Sequence, residues 1–175
     1  VIGSLLGATL ARVRTDAALR QSQKELRAVY DHSPIMMCVL DADRRLLYIN
    51  HAMSTFFGRE EAELRLQTAG QLLHCAGALQ DPGGCGYGQS CQTCALRLAI
   101  DRTLVTGATY QNIERRMSVE RDGLASEVTI LASTALLDTP TGPNLLVCLQ
   151  DISDRKAAEA QLRQQAMVLD RMSVR

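Results

Sequence analysis

The stretch Asp41-Ala-Asp-Arg-Arg-Leu-Leu-Tyr-Ile-Asn50 decides the fold. Its first four residues are short and polar, as a turn requires. Leu46-Leu-Tyr-Ile49 is then an apolar run of strand length, and Ile35 to Leu40 is another just upstream. Two such runs around a turn predict a hairpin. Asn50 can accept a hydrogen bond from a first-turn amide, so it predicts the N-cap of a short helix through Phe57. Gly58 closes that helix, because glycine takes the left-handed conformation at low cost. Glu60 to Leu64 forms a further helical turn. Before the hairpin, Leu19, Ser22, Leu26 and Val29 repeat at three-four spacing, which predicts a helix over 15–32 with one weak apolar seam. Pro34 ends it, since the residue before a proline avoids the helical region.

Downstream, Asp81-Pro-Gly-Gly-Cys-Gly-Tyr-Gly-Gln-Ser90 reads as a loop. Cys94 to Val105 is predicted helical, with Leu96, Ile100 and Leu104 on one face. Thr109–Glu120 and Ala125–Leu136 read as strands joined at Arg121-Asp-Gly123, Asp-Gly being a strong hairpin signal. Thr139 to Pro143 is a second turn, and Leu145–Leu149 the last strand. From Asp154 onward Ala158, Leu162, Gln165, Leu169 and Met172 follow a heptad-like seam with one polar slip. This predicts an exit helix that continues past the residues given.

The 175 residues suit one domain with helical extensions. Nineteen basic and nineteen acidic residues give zero formal charge and are interspersed, so no nucleic-acid partner is expected. No Gly-rich nucleotide loop, kinase motif set or Ser-His-Asp arrangement is present, so the chain is not expected to be an enzyme. The chain begins at Val1 and is expected to be part of a longer one. Residues 1–11 carry no charge, and Arg12 and Arg14 follow. A span needs about 20 apolar residues, so this stretch is too short alone. It reads equally as the inner end of a span begun upstream, with arginines on the cytoplasmic side, or as the start of an ordinary helix.

Four segments, in order, resemble the PAS family: His32-Ser-Pro34 before the first strand, Asp41 to Asn50, Phe56-Phe-Gly-Arg-Glu-Glu-Ala-Glu-Leu64, and Gln150-Asp-Ile-Ser-Asp-Arg-Lys-Ala-Ala-Glu159. The last is similar to the Asp-Ile-Thr-like junction where the family's final strand becomes a signalling helix. The resemblance spans about residues 24–158. It implies an α+β fold: a five-stranded antiparallel sheet in order 2-1-5-4-3, helices on one face, and flanking helices at both ends. The organisation implied is an N-terminal helix over 1–23, a PAS domain over 24–152 with a cysteine-rich insertion at 75–94, and a signalling helix over 153–175.

The insertion carries the chemistry. Cys38 and Cys148 sit in apolar runs and read as core. Cys75, Cys85, Cys91 and Cys94 instead cluster as Cys-x9-Cys-x5-Cys-x2-Cys. A Cys-x2-Cys pair sets two thiols on one turn, and four soft ligands suit zinc or an iron–sulfur cluster. The spacing does not choose between the two. His74 could replace Cys75 as the fourth ligand. Cys94 also starts a helix, whose N-terminal dipole favours a thiolate. A dithiol–disulfide pair at Cys91 and Cys94 is an alternative, and incidental packing is the bland one. His74-Cys-Ala-Gly-Ala-Leu-Gln80 lacks the Gly-Arg-Asn lead-in of flavin-binding photosensor PAS domains, so flavin is not expected. His32 and His51 lie beside helix caps, so haem is not expected.

The resemblance implies a cytoplasmic sensory module, at the inner face of the membrane if a tether precedes it. It would respond to redox state or metal through the four cysteines and act as a homodimer through its flanking helices. The exit helix would relay the state to an effector in the parent chain, such as a histidine kinase or cyclic-nucleotide enzyme. The competing expectation is a zinc-stapled dimerisation and linker module.

Overall fold

Pro34 stops helix α1 (Ile2–His32) and turns the chain into the sheet. The computed structural model describes residues 2–65, 67–72, 75, 78, 81–82, 84–121, 124–140 and 142–173. α1 begins well before residue 15, because nothing in the preceding residues breaks a helix. No helix among the described residues is long and apolar enough to cross a membrane.

Strands β1 (Met36–Leu40) and β2 (Leu46–Ile49) form the expected hairpin. Asp41 Oδ1 accepts from the Arg45 amide at 2.8 Å and closes the turn, while Arg44 takes a left-handed φ of 65°. Asn50, 1% exposed, fixes the path of the chain on both sides of the hairpin. Its Oδ1 accepts from the amides of Met37 at 2.9 Å and Met53 at 3.1 Å. Its Nδ2 donates to the carbonyls of Ile35 at 2.8 Å and Tyr30 at 3.1 Å. One side chain therefore ties the end of α1 to β1 and caps α2 (His51–Phe57), which Gly58 closes with φ 63°. Next come two single-turn helices, α3 (Glu61–Leu64) and α4 (Ala69–Leu72).

The central helix α5 (Ala95–Thr106) packs on β3 (Tyr110–Arg121), β4 (Leu124–Thr139) and β5 (Gly142–Asp151). The sheet order is β2-β1-β5-β4-β3, with every pairing antiparallel. The core lies on one face of the sheet. There Leu40, Leu46, Met117, Val119, Ile130, Leu145 and Val147 meet Met53, Phe57, Leu64, Leu96 and Ile100 from the helices. Thr103 of α5 and Thr134 of β4 are also buried and share a 2.7 Å hydroxyl hydrogen bond.

Three expectations need correction. The last strand is longer than Leu145–Leu149, because β4 continues to Thr139 and pairs with β5 beyond the end of β1. Pro143 is tolerated there, where it faces Asp138 and no strand pairs on its other side. Cys148 is not in the core: it alternates with buried Val147 and Leu149 and points to the half-buried outer face, whereas Cys38 is buried as expected. The central helix buries Leu96, Ala99, Ile100 and Thr103, while Leu104 is only partly covered. Residues 122–123, the expected hairpin turn, lie outside the described residues.

The exit helix α6 (Ser153–Ser173) is anchored at its start. Ser153 Oγ donates to Asp151 Oδ1 at 2.6 Å and accepts from the Thr129 amide at 2.9 Å. Lys156 Nζ reaches Glu114 of β3 at 2.7 Å. Beyond that point α6 leaves the domain and exposes Leu162 and Leu169, just as α1 exposes Leu19, Leu26 and Val29.

Candidate functional site

The four clustered cysteines occupy the crossing from α4 to α5. The Cys75 amide donates to the Gly70 carbonyl at 3.0 Å, which folds the chain back over α4. Cys85 lies against the same glycine. A Cβ on Gly70 would stand 2.5 Å from Cys85 Cβ and 2.8 Å from its Sγ, so only glycine permits this approach. Gly84 and Gly86, with φ of 78° and 110°, bend the loop on either side of Cys85. Cys91 is buried at the end of a 3-10 turn (Gln89–Cys91), and the Cys94 amide donates to its carbonyl at 3.2 Å. Cys94 N-caps α5, its Sγ accepting from the Arg97 amide at 3.5 Å.

The Cys85 thiol is pushed up from its ordinary value, first by burial, then by the neighbouring Cys91, with Cys94 and Cys75 adding to the effect. A hydrogen bond from the Gly70 backbone opposes the rise. Cys85 is thus near enough to each of the other three sulfurs to be influenced by it. Every cysteine is free, and among the described residues no three Cys, His, Asp or Glu side chains form a group closed tightly enough to hold a metal ion. His74, the alternative fourth ligand, lies outside the described residues. The donor set fits a soft metal by its chemistry, four thiols from one short segment. Closing around an ion would require the loop to contract.

Cys75, Cys85 and Cys94 form one wall of a cavity of about 540 Å³. Its other walls are the hairpin turn, the start of α5 and the inner side of β3. Leu96, Ile100 and Met117 make an apolar floor, and Arg44, Arg45, Arg97 and Arg115 also line it. Asp101 carries two of these arginines, Arg44 Nη1 at 2.9 Å and Arg97 Nε at 3.5 Å. The Arg97 guanidinium lies over the Gly86 backbone, where a Cβ would meet its Nε at 3.0 Å. The cysteine spacing gave no hint of these arginines. Their signal was Arg115, a charge at an inward position among Ile113, Met117 and Val119, where alternation calls for an apolar residue.

Residues 24–84 match a PAS domain family model. No curated protein matches the chain. Among solved structures, the PAS domain of an HTR-like protein from Haloarcula marismortui superposes with a TM-score of 0.51 at 19% identity, covering 79% of this chain and 98% of that one. A domain of a sensory box sensor histidine kinase/response regulator from Geobacter sulfurreducens gives 0.51 at 19% identity, covering 76% and 96%. An RNA-binding Light-Oxygen-Voltage receptor gives 0.57 at 17% identity, covering 86% of this chain and 38% of that one. Residues 24–84 are thus similar to the PAS family, and the antiparallel 2-1-5-4-3 sheet with its helices is the PAS fold.

Proposed function

We propose that this chain is a sensory signal-transduction module whose four cysteines, Cys75, Cys85, Cys91 and Cys94, hold a soft metal centre, zinc or an iron–sulfur cluster. The observation that carries the reading is that Cys75, Cys85 and Cys94 line one cavity while Cys85 is influenced by all three of the other thiols. When bound, such a centre supplies either a rigid staple or, for iron–sulfur, a one-electron couple.

The chain's own residues provide the relay. Cys94 caps α5, and α5 lies on β3, β4 and β5. Glu114 of β3 and Thr129 of β4 both grip the first turn of α6. A loop that draws Cys91 and Cys94 inward shifts the start of α5 and thereby the strands that hold α6. The exposed apolar residues of α1 and α6 suit a second copy of the chain, and the effector lies in the parent protein. A sensor histidine kinase context for one of the superposed domains agrees with this reading.

A second reading is a Cys91–Cys94 dithiol pair. It is favoured by the free thiols and by the lack of a closed ligand group among the described residues. Anaerobic purification, metal analysis and a visible spectrum separate the two. Brown protein or stoichiometric zinc, lost in Cys91→Ser/Cys94→Ser, supports the metal centre, and zinc without redox response supports the staple. Metal-free protein that loses two thiols per chain on oxidation supports the dithiol pair. Full metal content in the double variant would overturn the site.

A further inference from the structure

The arginines point to a second ligand. Among the described residues, four guanidiniums line the cavity against one carboxylate, Asp43, although the chain as a whole has no net charge. Asp101, behind the wall, neutralises part of this excess through Arg44 and Arg97. The Nε atoms of Arg97 and Arg115 are buried and make no hydrogen bond to any described residue. Arg97 Nε sits 3.5 Å from Asp101 but without hydrogen-bond geometry. A buried N–H without an acceptor is destabilising, more so when it belongs to a charged group. Neither Nε is open to the cavity, so an anion inside it would meet these two guanidiniums through their other N–H groups, and what draws it is the excess of lining cations.

We propose that this cavity binds a small organic anion, its carboxylate or phosphate head on Arg97 and Arg115 and its apolar body on Leu96, Ile100 and Met117. Guanidinium geometry matches both heads. The apolar floor and the volume of about 540 Å³ argue against a bare inorganic ion, which would leave most of the space empty. Arg44 and Arg45, at the hairpin turn, add field at the mouth. The binding stands on the arginines and does not depend on what the thiols hold. Its signalling consequence does rest on the sensory reading: Arg115 is adjacent in β3 to Glu114, which holds Lys156 of the exit helix.

Calorimetric titration of the full chain with hexanoate, hexyl phosphate, inorganic phosphate and hexan-1-ol tests the site, with metal content measured on every sample. Binding of hexanoate or hexyl phosphate at least about tenfold tighter than of inorganic phosphate or hexan-1-ol is the expected result, the gain of a charge-assisted contact joined to an apolar one. Whichever of the two organic anions binds tighter identifies the head. Arg115→Gln should weaken that binding by about tenfold or more, the same contact being lost, with circular dichroism and metal content unchanged. Arg97→Gln, on a different element, should do the same. Failure of both organic anions to bind would overturn the proposal, as would equal binding of hexan-1-ol or inorganic phosphate, or unaltered affinity in Arg115→Gln. Loss of metal in Cys91→Ser/Cys94→Ser with anion binding intact would leave this site standing on its own.

Discussion

The hairpin around Asn50 and the cysteine loop that ends at Cys94 are built on opposite plans. In the hairpin, one buried amide side chain satisfies backbone groups from three elements, and apolar side chains fill the space around it. In the loop, order comes from successive turns, Gly84 to Asp81, Cys91 to Gly88, Cys94 to Cys91, each closed by one backbone hydrogen bond. The hairpin is complete in itself. The loop carries four thiols, none of them in a disulfide. This contrast separates a part tied together by a buried side chain from a part held by single turn bonds.

The largest expected effect tests the self-sufficiency of the hairpin. Asn50→Ala removes two accepted and three donated hydrogen bonds, the third donated one to the Ser33 carbonyl, and orphans buried backbone groups. At about 1–3 kcal/mol for each buried group left unsatisfied, the loss should reach about 3 kcal/mol or more. Urea denaturation would read it as a large fall in the midpoint with little change in slope. A loss below about 1 kcal/mol would mean that water replaces the amide, and the hairpin would be no more self-contained than the loop.

The hairpin was also the more legible region. Asn50, Gly58 and Pro34 act through local backbone rules, so their roles could be read within a few residues of themselves. The sheet order came from the family resemblance, because strand order is not a local property. The cysteine spacing singled out the crossing from α4 to α5. What could not be read was that Gly70, fifteen residues before Cys85, admits that cysteine, or that Arg44, Arg97 and Arg115 from three elements share one cavity. Such proximities are made by tertiary packing. Arg115 alone left a trace, as a charge out of step with the alternation of its strand. The outward turn of Cys148 was open to the same count, since Leu145, Val147 and Leu149 already claimed the inward side.

Thr103 and Thr134 test the seam between the two regions, because they join α5, which the loop starts, to the sheet. Either single change to valine leaves a buried hydroxyl without its partner and should cost about 1–3 kcal/mol. The double change replaces both with apolar groups of similar shape and should recover most of that loss. Thermal denaturation of the three variants forms the cycle. Additive losses would show that the hydroxyls are not coupled.

Alkaline titration probes the hairpin's buried thiol. Burial pushes Cys38 up to about 12 from 9.0. The folded state therefore holds a proton that the unfolded chain releases above about pH 9. Stability attributable to Cys38 is complete below that value and declines as pH rises toward 12. At pH 10 the decline is about 1 kcal/mol, from one pH unit past the unfolded value at 1.36 kcal/mol per unit. Cys38→Ala should flatten the stability profile between pH 9 and 10, and an unchanged slope would contradict the burial-driven shift.

The smallest effect on the folded body, and the sharpest on the comparison, is expected from Gly70→Ala. The new Cβ collides with Cys85 Cβ and with Ala78 Cβ, at 2.5 and 2.8 Å. The collision partners belong to the loop side, which is held by single turn bonds, so the loop should yield before the sheet does. The expected outcome is a denaturation midpoint within about 1 kcal/mol of the parent, the usual cost of a change that the surroundings absorb. Metal content, or the thiol pattern if no metal is bound, should change clearly, because Cys85 no longer sits where Gly70 admits it. If the whole domain unfolds instead, loop and body are one cooperative unit, and the thiols help to hold the fold together. If neither stability nor metal content moves, the approach of Cys85 to Gly70 has no part in the site, and the ligand set contracts to Cys75, Cys91 and Cys94.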